Sequence, residues 1–339
     1  VASVPMWHHL AGQVERCDEC RFDGSAYTVD DVSGTLRTLA EWAGHAMGGI
    51  DPTDLNRRPT PTTWSPAEYL RHTKRVVWSM AGLAEMALAE SGLAVTGSPP
   101  DTAAADDPPA IVDVYREFVR LDEEAQRLHL LWAKASADER ARTIDINGSP
   151  ADVAGIVRHA AHDATHHLAD IGRGIVALGL GTPDAVGCVD LIHASGGGVP
   201  KLTMPQAIVG YRGVDGDRQA TRKHHGRVWQ AICLWSTEVI GTLAAEGHPV
   251  APGFAGENFT LSGIDWATLR PGARLEIGGR DGVVLETTAW ATPCKTLNDV
   301  FTNRDFRRID VLRDPGASRL YAKVLRDGVV RAGDTVRVH

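Results

Sequence analysis

The chain has 339 residues, of which 43% are hydrophobic and 23% charged, so it carries enough apolar material for ordinary folded cores. Domains commonly span roughly 100–200 residues, and the length therefore predicts two of them. The net charge of −8 argues against general nucleic-acid binding. No run approaches the roughly 18 apolar residues of a membrane helix. The start lacks a signal-peptide pattern, and five cysteines make no disulfide framework, so we expect free thiols and a cytoplasmic protein.

The first half of the chain has the periodicity of amphipathic helices. Thr28 is a candidate N-cap for a helix that ends near Gly48–Gly49. The run Ser65-Pro66-Ala67-Glu68 predicts a second helix start, with a capping serine, a proline at the first position and a glutamate at the third. A third helix carries apolar residues from Ile111 to Leu128, and a fourth is predicted from Ser149-Pro150 through Ile171. Four long helices predict a four-helix bundle.

The second half changes to short apolar runs between Gly, Asp and Pro turns, a pattern typical of β-strands. The clearest strand runs are 206–211, 274–277, 283–287 and 321–325, with one helix predicted at 237–246. We therefore expect a multidomain α plus β protein in which a β-barrel domain with minor helices follows the bundle. The predicted boundaries are an N-terminal segment at 1–25, the bundle at 26–178, a linker at 179–186 and the barrel domain at 187–339.

Several short signatures follow one another in the second half. In order they are Gly198-Val199-Pro200-Lys201, Gly213-Val214-Asp215-Gly216-Asp217, His224-His225-Gly226, Gly256-Glu257-Asn258-Phe259-Thr260, Thr292-Pro293-Cys294 and Ser318-Arg319-Leu320-Tyr321. Each is weak alone. Together and in this order they resemble the MOSC family, named after the C-terminal domain of molybdenum-cofactor sulfurases.

The MOSC resemblance implies a reactive cysteine, Cys294, beside a basic pocket. In that family the cysteine thiolate either ligates the metal of the molybdenum cofactor (molybdopterin) or carries a sulfane sulfur, and both roles need the thiolate form. The resemblance implies that the cofactor pocket is lined by Lys201, Arg212, His225, Asn258 and Thr292. Lys201, Arg212 and Lys295 are expected to favour the thiolate. Without the family, a cysteine in this setting is more often a packing residue, as Cys233 is expected to be.

Histidines cluster on the predicted fourth helix. His162 and His166 lie one turn apart on one face, a spacing that suits a divalent metal such as zinc. Two ligands are too few, and His72 on the second helix is the candidate for a third. The alternative is a helix with solvated histidines and one histidine satisfied in the core.

One histidine on the second helix and a His-x-x-x-His pair on the fourth resemble the DinB family. This resemblance implies that His72, His162 and His166 hold nickel or zinc, as in the metal-dependent members of that family. Relatives in mycothiol-using bacteria are thiol transferases or isomerases, whereas other members are non-enzymatic bundles. A three-histidine site leaves open positions for water or a substrate thiolate, which is typical of catalytic metals.

Cys17-Asp18-Glu19-Cys20 has the spacing of half a zinc ribbon. No second Cys-x-x-Cys follows, and the spacing of His8 and His9 matches no familiar zinc pattern. A metal role for Cys17 and Cys20 is therefore the less favoured interpretation, their role stays open, and both are predicted to be exposed on a mobile N-terminus.

The leading functional hypothesis is a molybdenum-cofactor-dependent oxidoreductase that acts through Cys294 on N-hydroxylated or similar small molecules. No iron–sulfur ligand set or flavin motif is evident, so electrons are expected from a separate reductase. A second hypothesis is a metal-dependent thiol or sulfur transferase that couples a low-molecular-weight thiol at the histidine site to Cys294. A third is a non-catalytic cofactor-binding carrier. Neither nucleic acid nor membrane is an expected partner.

Overall fold

The computed structural model describes residues 15–96, 111–219 and 225–339. His8, His9, His224 and the Ala/Asp/Pro loop near 97–109 lie outside the described residues. The chain divides into two units, Val1–Leu178 and Gly179–His339. None of the described helices is both long and apolar enough to cross a membrane.

Helices dominate the first unit. They are α1 (Val29–Leu36), α2 (Leu39–Met47), α3 (Pro52–Leu55), α4 (Pro66–Ala89), α5 (Val114–Lys134), α6 (Ala137–Arg140) and α7 (Val153–Ala177). Two short sheets accompany them, a hairpin of β1 (Arg16–Cys17) with β2 (Phe22–Asp23), and a three-stranded sheet of β3 (Leu93–Val95), β4 (Thr143–Ile146) and β5 (Ser149–Asp152).

The four-helix bundle predicted from the sequence is confirmed. The long helix α4 packs against α5 and α7, and α2 packs against the same two helices. Their shared core contains Trp42, Leu70, Leu128, Trp132 and Leu168, all buried. The apolar stripes that face inward on the helices therefore bury one common core, which holds α7 and its histidines in place.

Local capping signals place two helix starts correctly. Thr28 accepts a hydrogen bond from the backbone of Asp31, and the Asp31 carboxylate accepts one from the backbone of Thr28. Ser65 and Glu68 form the same reciprocal box at the start of α4. Each cap contributes about 1 kcal/mol to helix stability. The first predicted helix is nevertheless two helices, because the chain turns at Thr38, whose hydroxyl donates back to the Gly34 carbonyl.

The predicted start of the fourth helix at Ser149-Pro150 is wrong. Asn147 and Gly148 both have positive φ, 54° and 82°, and form a tight turn that pairs β4 with β5. Residues Ser149–Asp152 are therefore a strand. The helix begins at Val153, and Asp152 caps it by accepting a hydrogen bond from Gly155 N at 2.6 Å.

The second unit is built of short strands. They are β6 (Ala185–Ala194), β7 (Leu202–Met204), β8 (Gln206–Gly210), β9 (Gly213–Val214), β10 (Ile232–Ser236), β11 (Phe259–Ser262), β12 (Arg274–Ile277), β13 (Val283–Trp290), β14 (Leu320–Arg326), β15 (Gly328–Arg331) and β16 (Thr335–Val338). The helix α8 (Thr237–Ala245) lies where the sequence predicts one. Strand β6 begins at Ala185, inside the residues predicted as a linker.

Seven strands of the described chain close into a barrel. The order is β11-β10-β14-β13-β12-β16-β6, and β6 pairs with β11 to complete the ring. The pair β10–β11 is parallel, and the other barrel pairs are antiparallel. Trp235, Phe259 and Leu275 are among the side chains that fill its interior. Closure leaves no free strand edge in the ring and fixes the loops that carry the MOSC-like motifs.

Candidate thiol and metal sites

Cys294 lies in the second unit, just beyond the end of β13. It precedes a 3₁₀ turn at Lys295–Val300, and its carbonyl accepts a hydrogen bond from Leu297 N at 2.9 Å. All five cysteines lie in the described part of the chain, and Cys294 alone is exposed. The sequence-predicted reactive cysteine is therefore reachable from solvent, as is its neighbour Lys295.

Two of the residues predicted to bind the cofactor, Lys201 and Asn258, bind other residues of the protein. The Lys201 ammonium lies 2.7 Å from the Asp217 carboxylate. The Asn258 amide donates to the same carboxylate at 3.0 Å and to the His193 carbonyl at 3.2 Å, and its oxygen accepts from Cys233 N at 3.1 Å. Asp217 thus neutralises Lys201, and both predicted residues brace neighbouring segments of the barrel.

The other three predicted pocket residues lie nearer to solvent. Arg212 and Thr292 are exposed. His225 is half-buried, with its Nδ1 atom 3.4 Å from the Tyr321 hydroxyl. Arginine guanidinium groups are suited to bind anionic groups such as phosphates. Lys201 cannot bind one without leaving Asp217.

A buried acid, Glu257, is a feature that the sequence interpretation passed over. Its side chain is fully buried, and one carboxylate oxygen accepts from Gly253 N while the other has no hydrogen-bond partner. Burial raises the pKa of this carboxyl. Arg319 is also buried and donates to the Ala255 carbonyl. Glu257 and Arg319 both lie within the MOSC-like sequence motifs, so the motifs could have identified them as candidate site residues.

Cys233 behaves as the sequence predicts for a core residue. It is buried on β10, and burial raises the pKa of its thiol to about 11. A neutral, enclosed thiol is a poor nucleophile. Of Cys233 and Cys294, only the exposed Cys294 is therefore accessible for thiol chemistry.

In the first unit, α7 presents His162 and His166 to the N-terminal hairpin. The Nε2 atom of His162 lies 3.3 Å from Cys20 Sγ, and the Nδ1 atom of His166 lies 3.8 Å from Cys17 Sγ. One ligand atom from each of the four residues lies within 4.8 Å of the others. The structure thus brings two predicted histidines together with two cysteines whose role the sequence left open.

The expectation that Cys17 and Cys20 are exposed is wrong, because both cysteines are half-buried. Phe22, the first residue of β2, is buried, and its ring stacks on the ring of His162 with centroids 4.3 Å apart. This aromatic contact holds the hairpin against α7.

Glu15 fixes the orientation of two histidine rings. One of its carboxylate oxygens lies 2.7 Å from His162 Nδ1 and 3.0 Å from His159 Nδ1. Burial alone would raise the pKa of Glu15, but the hydrogen bonds with His159 and His162 hold it well below its usual range. The carboxylate is therefore ionised, and it leaves the Nε2 atom of His162 directed at Cys20.

His72 lies in a different group. Its Nε2 atom is 3.9 Å from Asp163 Oδ1, and its ring meets the ring of His167 edge-on with centroids 4.8 Å apart. Among the described residues, His72, Asp163 and His167 form one candidate metal-binding group, whereas His162 and His166 belong to others. The three-histidine site stays a prediction, and the structure does not gather its three members.

The sequence carried a signal for the cysteine and histidine cluster. Cys17-x-x-Cys20 and His162-x-x-x-His166 together have the spacing of Cys₂His₂ zinc sites. The sequence interpretation sought the missing ligands near the cysteines, at His8 and His9. The observed partners are 142 and 149 residues away.

Comparison with known proteins assigns a family to each half. The model of the DinB superfamily matches residues 36–171, and the MOSC domain model matches residues 221–337. The chain is therefore a DinB-like helical unit followed by a MOSC domain, as the sequence motifs predict. The comparison with curated proteins gives no match.

Three solved structures are each similar to about half of this chain. The YuaD protein from Bacillus subtilis is 20% identical over 47% of this chain and 98% of its own, with a TM-score of 0.39. YiiM from Escherichia coli is 20% identical over 45% of this chain and 69% of its own, with a TM-score of 0.35. YfiT from Bacillus subtilis, described as a probable metal-dependent hydrolase with an unusual four-helix bundle topology, is 12% identical over 50% and 98%, with a TM-score of 0.40.

Proposed function

We propose that this protein acts through Cys294, which binds the molybdenum cofactor, and that it is an oxidoreductase for N-hydroxylated or similar small molecules. The observation that carries the proposal is the exposure of this one thiol in the MOSC domain. A thiolate is a soft ligand that suits a transition metal, and only an accessible cysteine can supply it to a bound cofactor.

The residues expected to line the cofactor pocket fit the cofactor in part. Arg212 and Thr292, both exposed, and the half-buried His225 are suited to contact the pterin and its phosphate. Lys201 and Asn258 would position other residues and not contact the cofactor themselves, because their polar groups already bind Asp217. Asp217 in turn accepts a hydrogen bond from Ser195 N at 2.9 Å, so these residues order the loops around the site.

The cofactor would supply two-electron chemistry, and the protein residues would bind and orient it. Reduction of an N-hydroxylated compound to the amine takes up two electrons and two protons and releases water. A separate reductase is the proposed electron donor, since the chain itself carries no flavin or iron–sulfur motif.

The test is the molybdenum content of the full chain, purified from a host that makes the cofactor. We expect stoichiometric molybdenum in the wild type and in Cys188→Ser, and none in Cys294→Ser. Cys188 is the matched control because it is a half-buried thiol of the same unit. A wild type without molybdenum overturns the cofactor proposal. If its Cys294 peptide is then one sulfur atom heavier, the protein is a sulfur carrier instead.

A further inference from the structure

We propose that Cys17, Cys20, His162 and His166 bind one zinc ion in a closed tetrahedral site that fastens the N-terminal hairpin to α7. The site lies wholly in the helical unit and does not depend on what Cys294 binds. It uses two histidines of the predicted three-histidine site but replaces His72 with two thiolates.

The distances between the ligand atoms suit a tetrahedral ion. With zinc at about 2.3 Å from sulfur and about 2.0–2.1 Å from nitrogen, a tetrahedral angle separates sulfur from nitrogen by about 3.5 Å. The two sulfur–nitrogen distances, 3.3 Å at His162 and 3.8 Å at His166, lie on either side of that value. All four atoms already lie within 4.8 Å of one another. Small side-chain adjustments would bring them onto one ion.

The ligand chemistry selects this group over its neighbours. Three other groups of candidate ligands lie close by, and each combines carboxylates with histidines. Two of these groups share His162 or His166 with the proposed site, and a carboxylate in each already has a partner, since Glu15 contacts His159 and His162, and Asp170 contacts His167 at 2.9 Å. The third group, His72, Asp163 and His167, shares no residue with it. The cysteine pair offers soft donors that zinc prefers, and thiols left beside imidazoles gain only weak hydrogen bonds.

Outer partners hold both imidazoles in the orientation that the ion needs. Glu15 holds Nδ1 of His162, which leaves Nε2 for the metal. His166 turns Nδ1 to Cys17, and its Nε2 lies 3.7 Å from Asp170 and 3.7 Å from Glu19. A carboxylate behind a ligating histidine fixes its tautomer and raises its basicity. The rings are thus set before any ion binds.

Charge and protons balance at the site. The two cysteine thiols each release one proton as the ion binds, and the two histidines bind as neutral imidazoles. Two thiolates cancel the double positive charge of zinc, so the half-buried complex carries no net charge. Zinc changes no oxidation state, and no further reactant is required.

The hairpin is short, which gives the ion a structural purpose beside the stacking of Phe22 on His162. β1 and β2 have two residues each, and a hairpin this short is not stable in isolation. Phe22 and Tyr27 are the large apolar side chains of the hairpin and of the residues after it that are buried. Four protein ligands fill the tetrahedron and leave no position for water or substrate, which is typical of structural rather than catalytic zinc.

Metal content of variants of the full chain separates this site from the three-histidine site. Protein purified under reducing conditions should contain stoichiometric zinc in the wild type, in His72→Ala and in Cys188→Ser. Cys17→Ser and Cys20→Ser should lose the metal, and in competition with a chelator their affinity should fall by more than the roughly 10–100-fold cost of losing an outer partner. Loss in His72→Ala with retention in both cysteine variants overturns the proposal.

Cobalt substitution tests the ligand set directly, including in a variant that keeps four ligands. Wild type loaded with Co²⁺ should show thiolate-to-cobalt charge-transfer absorption and the intense visible bands of a tetrahedral ion. Cys17→His should still bind Co²⁺ but with weaker charge-transfer absorption, because one thiolate remains. Unchanged absorption in Cys17→His, or a Cys17–Cys20 disulfide in a metal-free wild type, would contradict the closed site.

Discussion

The Nε2 atom of His162 lies 3.3 Å from the Sγ atom of Cys20, although 142 residues separate them along the chain. The contact joins an N-terminal hairpin to the last helix of the bundle. It is the shorter of the two cysteine–histidine contacts in a cluster of four candidate ligands, and Glu15 binds the other ring nitrogen of His162.

Glu15→Gln should weaken metal binding without abolishing it. The amide cannot supply the negative charge that holds the Nδ1–H of His162, so the ring becomes less basic and less ordered. We expect zinc affinity to fall roughly 10–100-fold in competition with a chelator. Glu123→Gln is the control, because Glu123 is an exposed carboxylate on α5 outside every candidate metal-binding group. Equal losses in the two variants would contradict a special role for Glu15.

Cys294 should react first among the thiols of the MOSC domain. Under limiting iodoacetamide at neutral pH, peptide mapping should find it labelled well before Cys233, which is buried and whose thiol has a pKa of about 11. Cys294→Ser should change the free energy of unfolding by no more than about 0.5 kcal/mol, as is usual for exposed positions. If Cys233 reacts faster, or Cys294→Ser unfolds, Cys294 is a packing residue.

Lys201→Met should destabilise the barrel strongly. The Lys201 and Asp217 side chains are 11% and 3% exposed, so the variant leaves a buried carboxylate without its cation. The expected loss of unfolding free energy is about 3–5 kcal/mol, measured by urea denaturation. The double variant Lys201→Met/Asp217→Asn should recover much of that loss, because no unpaired charge remains and the amide oxygen can still accept a hydrogen bond from Asn258 or Ser195 N. A double variant as unstable as the single one would refute this assignment.

His193 should make the barrel lose stability in mild acid. Its ring is fully buried, and burial, together with the nearby Lys201 ammonium, lowers its pKa to about 4. The unfolded chain takes up this proton near pH 6.5, so stability is present above that pH and is lost as the pH falls towards 4. The loss is at most about 3 kcal/mol. His193→Gln should flatten the pH dependence of the unfolding free energy over that range, and an unchanged slope would contradict the assignment.

The two units should fold separately. Residues 1–178 and 179–339 each have their own core, and the cut lies between α7 and β6. Expressed alone, each fragment should unfold cooperatively with urea. A second fragment that begins after residue 186 should be less stable, because it lacks Ala185, which pairs with Val338. Non-cooperative unfolding of both fragments would show that the boundary is misplaced.

Features that depend on neighbouring residues could be predicted from the sequence. The capping boxes at Thr28 and Ser65 and the strand Arg274–Ile277 needed only local spacing. The start of α7 could not be placed, because Ser149–Asp152 is a strand only through its pairing with β4. Ser149 has the local pattern of a helix N-cap, but the pairing with β4 places it in a strand.

The candidate sites, too, could be predicted only where they depend on local spacing along the chain. Helical spacing showed that His162 and His166 share a face of α7, but the segment opposite that face depends on how distant parts of the chain pack. His72 meets His167 instead, and the cysteines come from the far end of the unit. In the barrel, the motifs identified Lys201 and Asn258, yet only the fold shows that Asp217 binds both.

Strand β6 opens the second unit and pairs in the ring with β16, its last strand, with Ala185 opposite Val338. The first and last strands of the unit thus lie side by side. A circularly permuted version, with a short peptide joining His339 to Gly179 and new ends in an exposed turn, would keep every pair of the ring. The same geometry would let the whole barrel be inserted into a surface loop of another protein, since its two ends leave side by side.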